Sequence, residues 1–147
     1  MPGYRSHIAG GAITFCGIVL LVSKTYPPTP ITALQWFLLT IVGALFPDVD
    51  IKSRGQGIFY RVILLCLILL YLQKNWHLFA ATSFLAMIPL LVRHRGLFHE
   101  LWFVVAVPFA LACFTMQSFP ACKTILLLDA TFFAAGAVSH IVLDRIT

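Results

Sequence analysis

Histidine and aspartate residues recur in short segments of the sequence, at spacings that suit a divalent metal site. His140 and Asp144 are four residues apart, so on a helix they would share one face and could bind one ion. Asp48 and Asp50 flank a valine just after a proline, and an extended turn there could direct both carboxylates at one centre. Each pair therefore offers two metal ligands from one short segment.

The segment R-H-R-G-L-F-H-E, residues 93–100, adds two imidazoles in a chain with only 5 histidines. His94 and His99 flank Gly96, which permits the tight backbone needed to bring both rings to one centre. The candidate ligands, with an early histidine included, are His7, Asp48, Asp50, His94, His99, His140 and Asp144. Imidazole and carboxylate suit zinc, manganese or iron, and one catalytic zinc needs about three or four ligands. We therefore predict one or two divalent ions, with zinc favoured and manganese as an alternative.

The composition is that of a membrane protein. Apolar residues make up 61% of the chain and charged residues 10%, against roughly 25% charged residues in a soluble domain. A spanning helix needs about 20 mostly apolar residues. Candidate spans lie at about 5–23, 32–46, 57–73, 75–92, 98–117 and 123–143. The second is short for a span, and it either lies tilted or extends into the preceding P-I-T-A-L-Q. We predict an all-α fold, a polytopic bundle of about six transmembrane helices in a single integral-membrane domain over residues 1–147.

The predicted spans place both termini on the same side of the bilayer. The basic residues on that side are Arg5, Lys52, Arg54, Arg61, Arg93, Arg95 and Arg145, and those on the other side are Lys24, Lys74 and Lys123. Because basic residues concentrate on the cytoplasmic side, we predict cytoplasmic termini in an inner-membrane protein. All the candidate ligands map to this cytoplasmic end of the bundle.

Two other ionisable residues map away from the cluster. Asp129 lies eleven residues before His140, about 16 Å along a helix, so we expect a packing or interfacial role. His77 follows Trp76 and is interpreted as a residue of the interfacial belt. The basic residues flank apolar runs and form no continuous basic face, so the net charge of +5 does not predict a nucleic-acid partner.

Small residues recur along the sixth predicted span, at Ala130, Ala134, Ala135, Gly136 and Ser139. Small residues allow two membrane helices to approach closely. The sequence leaves open whether this contact is made within the chain or between chains, and it does not determine the oligomeric state.

The chain resembles the YdjM-like family of small bacterial membrane proteins, described as membrane-bound, metal-dependent hydrolases. The resemblance rests on H-I-A-G-G (7–11), G-A-L-F-P-D-V-D (43–50), H-R-G-L-F-H (94–99) and S-H-I-V-L-D-R-I-T (139–147). In this chain Phe98 and Glu100 stand where the family loop commonly has Thr and Ser. The resemblance implies hydrolysis but no particular substrate.

These observations predict a metal-dependent hydrolase at the cytoplasmic membrane face. The metal would lower the pKa of bound water and so create the nucleophile, with Asp50 or Glu100 as general base. Arg93, Arg95 and Arg54 are placed to hold an anionic group. Cations beside a metal at the level of the lipid headgroups favour a phosphoester of a lipid or membrane-associated substrate, as in a phospholipase-like phosphoesterase.

The alternative is a metal-ion or proton transporter that uses the same cluster of His and Asp residues. In a transporter, we expect ionisable residues at several depths of the bilayer, where they would form a pathway. Asp129 is the one deep candidate in the sequence, and the others gather at one end. This distribution favours a reaction at the membrane surface.

Overall fold

Six α-helices follow one another along the chain, joined by short connections. The computed structural model describes residues 3–50, 53–91 and 96–146, apart from the side chains of residues 50 and 118. The helices are α1 (Tyr4–Val22), α2 (Pro30–Leu45), α3 (Arg54–Leu72), α4 (Trp76–Leu91), α5 (Leu101–Ser118) and α6 (Lys123–Ile146). Short 3-10 turns lie at Phe46–Asp50, Leu97–His99 and Pro120–Cys122. The described residues contain no strand, so the predicted all-α fold is confirmed.

Proline and hydroxyl side chains set the first residues of α2 and α3. Pro30 lies in the first turn of α2, where its missing N–H costs no hydrogen bond. The Thr29 hydroxyl oxygen accepts a hydrogen bond from the N–H of Thr32 at 3.2 Å. The Ser53 hydroxyl oxygen caps α3 in the same way, because it accepts a hydrogen bond from the N–H of Gln56 at 3.0 Å. Helix α2 therefore includes the segment P-I-T-A-L-Q, which is one of the two alternatives that the sequence left open.

Several of the helices are long enough to cross a bilayer. Within the described residues, four segments have the length and apolar character of a membrane span: Tyr4–Val22, Pro30–Val49, Arg54–Leu72 and Pro120–Ile146. The remaining apolar helices are shorter, at Trp76–Leu91 and Leu101–Gln117. Helices thus occur at all six predicted positions, and four of them reach spanning length. Large apolar side chains such as Ile13, Leu21 and Phe84 are exposed on the outer surface, which suits contact with lipid.

Helices α2 and α6 cross at two glycines. A Cβ atom on Gly136 would overlap the carbonyl oxygen of Thr40, and one on Gly43 would overlap the carbonyl oxygen of Phe133. Only glycine permits backbones this close, so the crossing depends on both positions. Gly136, one of the small residues predicted for a close helix contact in the sixth span, makes that contact within the chain.

Helix α6 is the most central element, because α1, α2 and α5 all pack against it. Helix α3 pairs mainly with α4. The hydroxyl of Tyr60 on α3 donates a hydrogen bond to the carbonyl oxygen of Ala86 on α4 at 3.0 Å. The bundle therefore consists of a core of α1, α2, α5 and α6, with the α3–α4 hairpin beside it.

Candidate metal centre

One end of the helical core gathers the His and Asp side chains. His7 is the fourth residue of α1, and Asp48 lies in the 3-10 turn that follows α2. His99 ends the 3-10 turn before α5, and His140 and Asp144 lie in the last turns of α6. The structure therefore brings together five of the seven predicted ligands, from four separate parts of the chain.

The segment F-P-D-V-D does not form the extended turn that the sequence predicts. It forms a 3-10 turn, Phe46–Asp50, that continues directly from α2. A 3-10 turn tolerates Pro47 near its start, because another donor replaces the hydrogen bond that Pro47, which has no N–H, cannot make. The Asp48 carboxylate still reaches the cluster. The side chain of Asp50 lies outside the described residues, so its predicted role as ligand and base stays a prediction.

His140 is the central donor of the cluster. Its side chain is fully buried, and its Nδ1 lies 2.7 Å from the carbonyl oxygen of Ala44. Because a carbonyl oxygen only accepts hydrogen bonds, Nδ1 carries the proton, and in the neutral form of the ring Nε2 would present a lone pair. Nε2 faces Asp48 Oδ1 and Asp144 Oδ2, each at 3.5 Å, and makes no hydrogen bond among the described residues. A lone pair directed at two carboxylates is stable when a cation lies between them.

Pro47 explains why the carbonyl oxygen of Ala44 is available to His140. In the register of a 3-10 turn, the donor to Ala44 would be the N–H three residues further on. That residue is Pro47, which has no N–H. The freed carbonyl oxygen accepts the hydrogen bond from His140 and fixes the orientation of the imidazole, as backbone carbonyls commonly do beside metal ligands.

His99 faces the same two carboxylates as His140. Its Nε2 lies 3.9 Å from Asp48 Oδ1 and 3.7 Å from Asp144 Oδ2. Two ligands of a tetrahedral zinc, each about 2.0–2.2 Å from the ion, are roughly 3.3–3.5 Å apart. The imidazole-to-carboxylate separations of 3.5 Å at His140 match this spacing, and those at His99 are slightly longer.

His7 joins the cluster from α1 by stacking on His140. The ring centroids are 3.7 Å apart and the ring planes differ by 16°. His7 Nε2 lies 3.5 Å from Asp144 Oδ1, so Asp144 directs one oxygen to His7 and the other to His99 and His140. Two stacked imidazolium rings would repel each other, which favours neutral rings that can act as metal ligands.

The donor atoms form two overlapping groups. One group is His7, His140 and Asp144, and the other is Asp48, His99 and His140. Within each group, one donor atom from every residue lies within 4.8 Å of the others. Donors of this type and spacing can hold a divalent metal ion, although they do not select one metal.

The remaining predicted site residues lie either outside the described residues or outside these two donor groups. His94, Arg93 and Arg95 lie outside the described residues, so their predicted roles are not tested. Glu100 is exposed at the start of α5 and belongs to neither donor group. The guanidinium of Arg54 donates a hydrogen bond to the Tyr4 hydroxyl at 2.7 Å and lies over the same ring.

Asp129 and His77 lie apart from the cluster, as the sequence predicts. Gln35 Nε2 donates a hydrogen bond to Asp129 Oδ2 at 2.7 Å. Asp129 also lines an apolar cavity of about 300 Å³ between α2, α5 and α6. His77 is exposed at the start of α4.

Two features of the site were missed by the sequence analysis. The carbonyl oxygen of Ala44 orients His140, and the missing N–H of Pro47 was the signal that could have revealed it. Arg145 lines a small cavity together with His99, Asp144 and Ile141. From the sequence, Arg145 was one of the basic residues that orient the chain in the membrane, and no role in the site was indicated for it.

The fold and the cluster define a class, namely helical membrane proteins with a His/Asp cluster suited to a divalent metal at one end of the bundle. Residues 1–147 match the model of the family described as YdjM inner membrane protein, and this chain belongs to that family. The resemblance noted from the four motifs is therefore confirmed over the whole chain. No curated protein and no solved structure matches the chain.

Proposed function

We propose that this protein is a metal-dependent hydrolase that acts at the cytoplasmic face of the membrane. The observation that supports this most strongly is the environment of His140. This imidazole is fully buried; its Nδ1 is bound to a backbone carbonyl oxygen, and its Nε2 faces two partly buried carboxylates at 3.5 Å. An arrangement of this kind suits a cation in contact with Nε2.

The donor set suits zinc first, with manganese as the alternative. His99, His140, Asp48 and Asp144 would hold the central ion. Both donor groups contain His140, whose remaining nitrogen can bind only one ion. The arrangement therefore favours one central ion, and a second would need His7, the other oxygen of Asp144 and further ligands. A metal bound here would polarise a substrate oxygen or activate water for attack.

The residues of the chain provide the rest of the chemistry. A carboxylate oxygen that does not bind the ion can accept the proton of the attacking water. In hydrolysis of a phosphoester, the water oxygen bonds to phosphorus, the ester P–O bond breaks and the leaving oxygen takes up a proton. The apolar exterior keeps the protein in the bilayer, so a lipid or a membrane-associated substrate is the phosphoester nearest to the site.

Elemental analysis of the detergent-purified protein tests the first part of this proposal. We expect between one and two equivalents of zinc or manganese per folded chain. A chain that is folded but neither contains nor takes up a divalent metal would contradict the proposal.

Hydrolysis assays test the second part, with bis-p-nitrophenyl phosphate, p-nitrophenyl phosphate and p-nitrophenyl butyrate as probes. We expect turnover of a phosphoester that is lost after chelation and recovered when zinc is restored. Metal-loaded protein that hydrolyses no ester but releases or takes up metal in proteoliposomes would favour the transporter alternative.

A further inference from the structure

A small cavity opens beside the donor groups. It has a volume of about 190 Å³ and is lined by His99, Ile141, Asp144 and Arg145. Two of these residues belong to the donor groups. The cavity is smaller than the roughly 300–1,000 Å³ of pockets for drug-sized ligands. It therefore fits a small group, such as a single phosphate, and not a whole phospholipid.

Arg145 is the one arginine or lysine among the four residues that line this cavity. It is exposed and forms no ion pair within the part of the chain that the structure describes. A divalent cation would balance the charges of Asp48 and Asp144, so the positive charge of Arg145 would remain uncompensated beside it. A cavity with this charge attracts an anion. A guanidinium can also bind two oxygens of a phosphate at once.

We propose that Arg145 binds the phosphate group of the substrate in this cavity. This inference rests on the proposed function, because it takes the cavity beside His99 and Asp144 as the reaction site. It assigns the substrate to compounds with a tetrahedral phosphate, whether a lipid headgroup or a soluble phosphate. Arg145 also lies in the last turn of α6, where a cation stabilises the helix end, and the experiment must separate the two roles.

The test compares inorganic phosphate binding by the wild-type chain, Arg145→Gln, Arg145→Lys and Arg5→Gln. Arg5→Gln is the matched control, since Arg5 is exposed at the same end of the bundle and does not line the cavity. Each protein is loaded with zinc in detergent, freed of excess metal and titrated by calorimetry. Metal content and melting temperature are measured on the same samples.

We expect Arg145→Gln to weaken phosphate binding at least tenfold at unchanged metal content. Arg145→Lys should fall between Arg145→Gln and the wild type, and Arg5→Gln should change the Kd less than twofold. Equal phosphate affinity in Arg145→Gln and the wild type would overturn the proposal, as would a wild type that binds zinc but no phosphate. Absence of zinc from every sample would contradict the proposed function, whereas the contribution of Arg145 to phosphate binding would still be measured.

Mixed micelles separate the two sources of phosphate. If the ligand is a lipid headgroup, micelles with phosphatidic acid should displace inorganic phosphate from the wild type, and micelles of phosphatidylcholine alone should displace less. If the ligand is soluble, neither micelle should displace it. Displacement that is equally strong in Arg145→Gln would show that the lipid phosphate does not bind Arg145, and would overturn the assignment.

Discussion

Four residues around His140 together determine what its imidazole can do. The carbonyl oxygen of Ala44 fixes the proton on Nδ1, the ring of His7 covers one face, and the carboxylates of Asp48 and Asp144 face Nε2. A side chain of this polarity is costly to bury unless its polar atoms are satisfied. A metal ion at Nε2 would satisfy the last of them.

Replacement of His140 by alanine should remove bound metal. We expect the affinity for zinc to fall by more than roughly 100-fold, because loss of a ligand exceeds the 10- to 100-fold effect of losing a residue that only orients one. The measurement is bound metal per folded chain, with folding checked by circular dichroism. His77→Ala is the control, since His77 is exposed at the start of α4, and it should keep its metal. Equal metal content in both variants would show that His140 is not a metal ligand.

Asp129 provides the contrast that separates a hydrolase from a transporter. Asp129→Asn should leave metal content and hydrolysis nearly unchanged, because an amide oxygen can still accept the hydrogen bond from Gln35. Asp129 also lies about 16 Å from His140 along α6. If Asp129→Asn abolished function while His140→Ala preserved it, the chemistry would lie inside the membrane. A transporter function would then replace the proposed hydrolase function.

At the scale of the elements, the crossing of α2 and α6 positions the cluster. Gly43 and Gly136 let the two backbones approach closely, and Ala44 is the residue next to Gly43. The hydrogen bond from His140 to Ala44 spans the same pair of helices. The distance between these helices therefore determines whether His140 can reach the carbonyl oxygen that orients it.

Gly136→Ala should destabilise the bundle and weaken the metal site together. A methyl group there overlaps the Thr40 carbonyl oxygen, and overpacking of this kind costs about 1–3 kcal/mol. We expect zinc affinity to fall roughly tenfold as the hydrogen bond from His140 lengthens. Gly17→Ala is the matched control, because nothing lies within 4 Å of a Cβ at Gly17. Denaturant titration in mixed micelles measures the stability of both variants, and equal stability would contradict the prediction.

The sequence predicted the helices better than it predicted the site. Continuous apolar runs and the prolines that end them indicate where helices lie, because both effects are local. The conformation of F-P-D-V-D is not determined locally. Pro47 is compatible with an extended turn or a 3-10 turn, and the 3-10 turn forms because it continues directly from α2. His140 belongs to both donor groups, and its orientation depends on the contact with Ala44, 96 positions away in the sequence. A local sequence pattern cannot show a contact over this separation. Arg145 was missed because its place in the cavity depends on His99, from another segment.

At the scale of the whole molecule, basic residues occupy both ends of the bundle. Helices α1, α3 and α6 have an arginine at one end: Arg5, Arg54 and Arg145. Lysines lie at the other ends of these helices: Lys24 and Lys74 come after α1 and α3, and Lys123 is the first residue of α6. The arginine end is the one that contains the His/Asp cluster.

Reporter fusions should place the two ends in opposite compartments. Helices at all six predicted positions and the excess of basic residues predict that a fusion after residue 147 is cytoplasmic and one after Lys74 is periplasmic. Paired alkaline phosphatase and green fluorescent protein fusions measure this directly. Both fusions in one compartment would contradict the predicted number of spans and the location of the proposed site.

The first helix supplies His7, and α6 supplies His140 and Asp144. During synthesis, α6 is the last of the six helices to emerge from the ribosome, so the cluster stays incomplete until that helix has entered between its neighbours. A bound ion would then lock the earliest and latest segments to each other, and its uptake would mark the end of assembly. A chain arrested after Phe119 retains His7, Asp48 and His99, and we expect it to bind zinc at least roughly 100-fold more weakly than the full chain. Equal binding by the arrested chain would show that the site forms before α6 arrives.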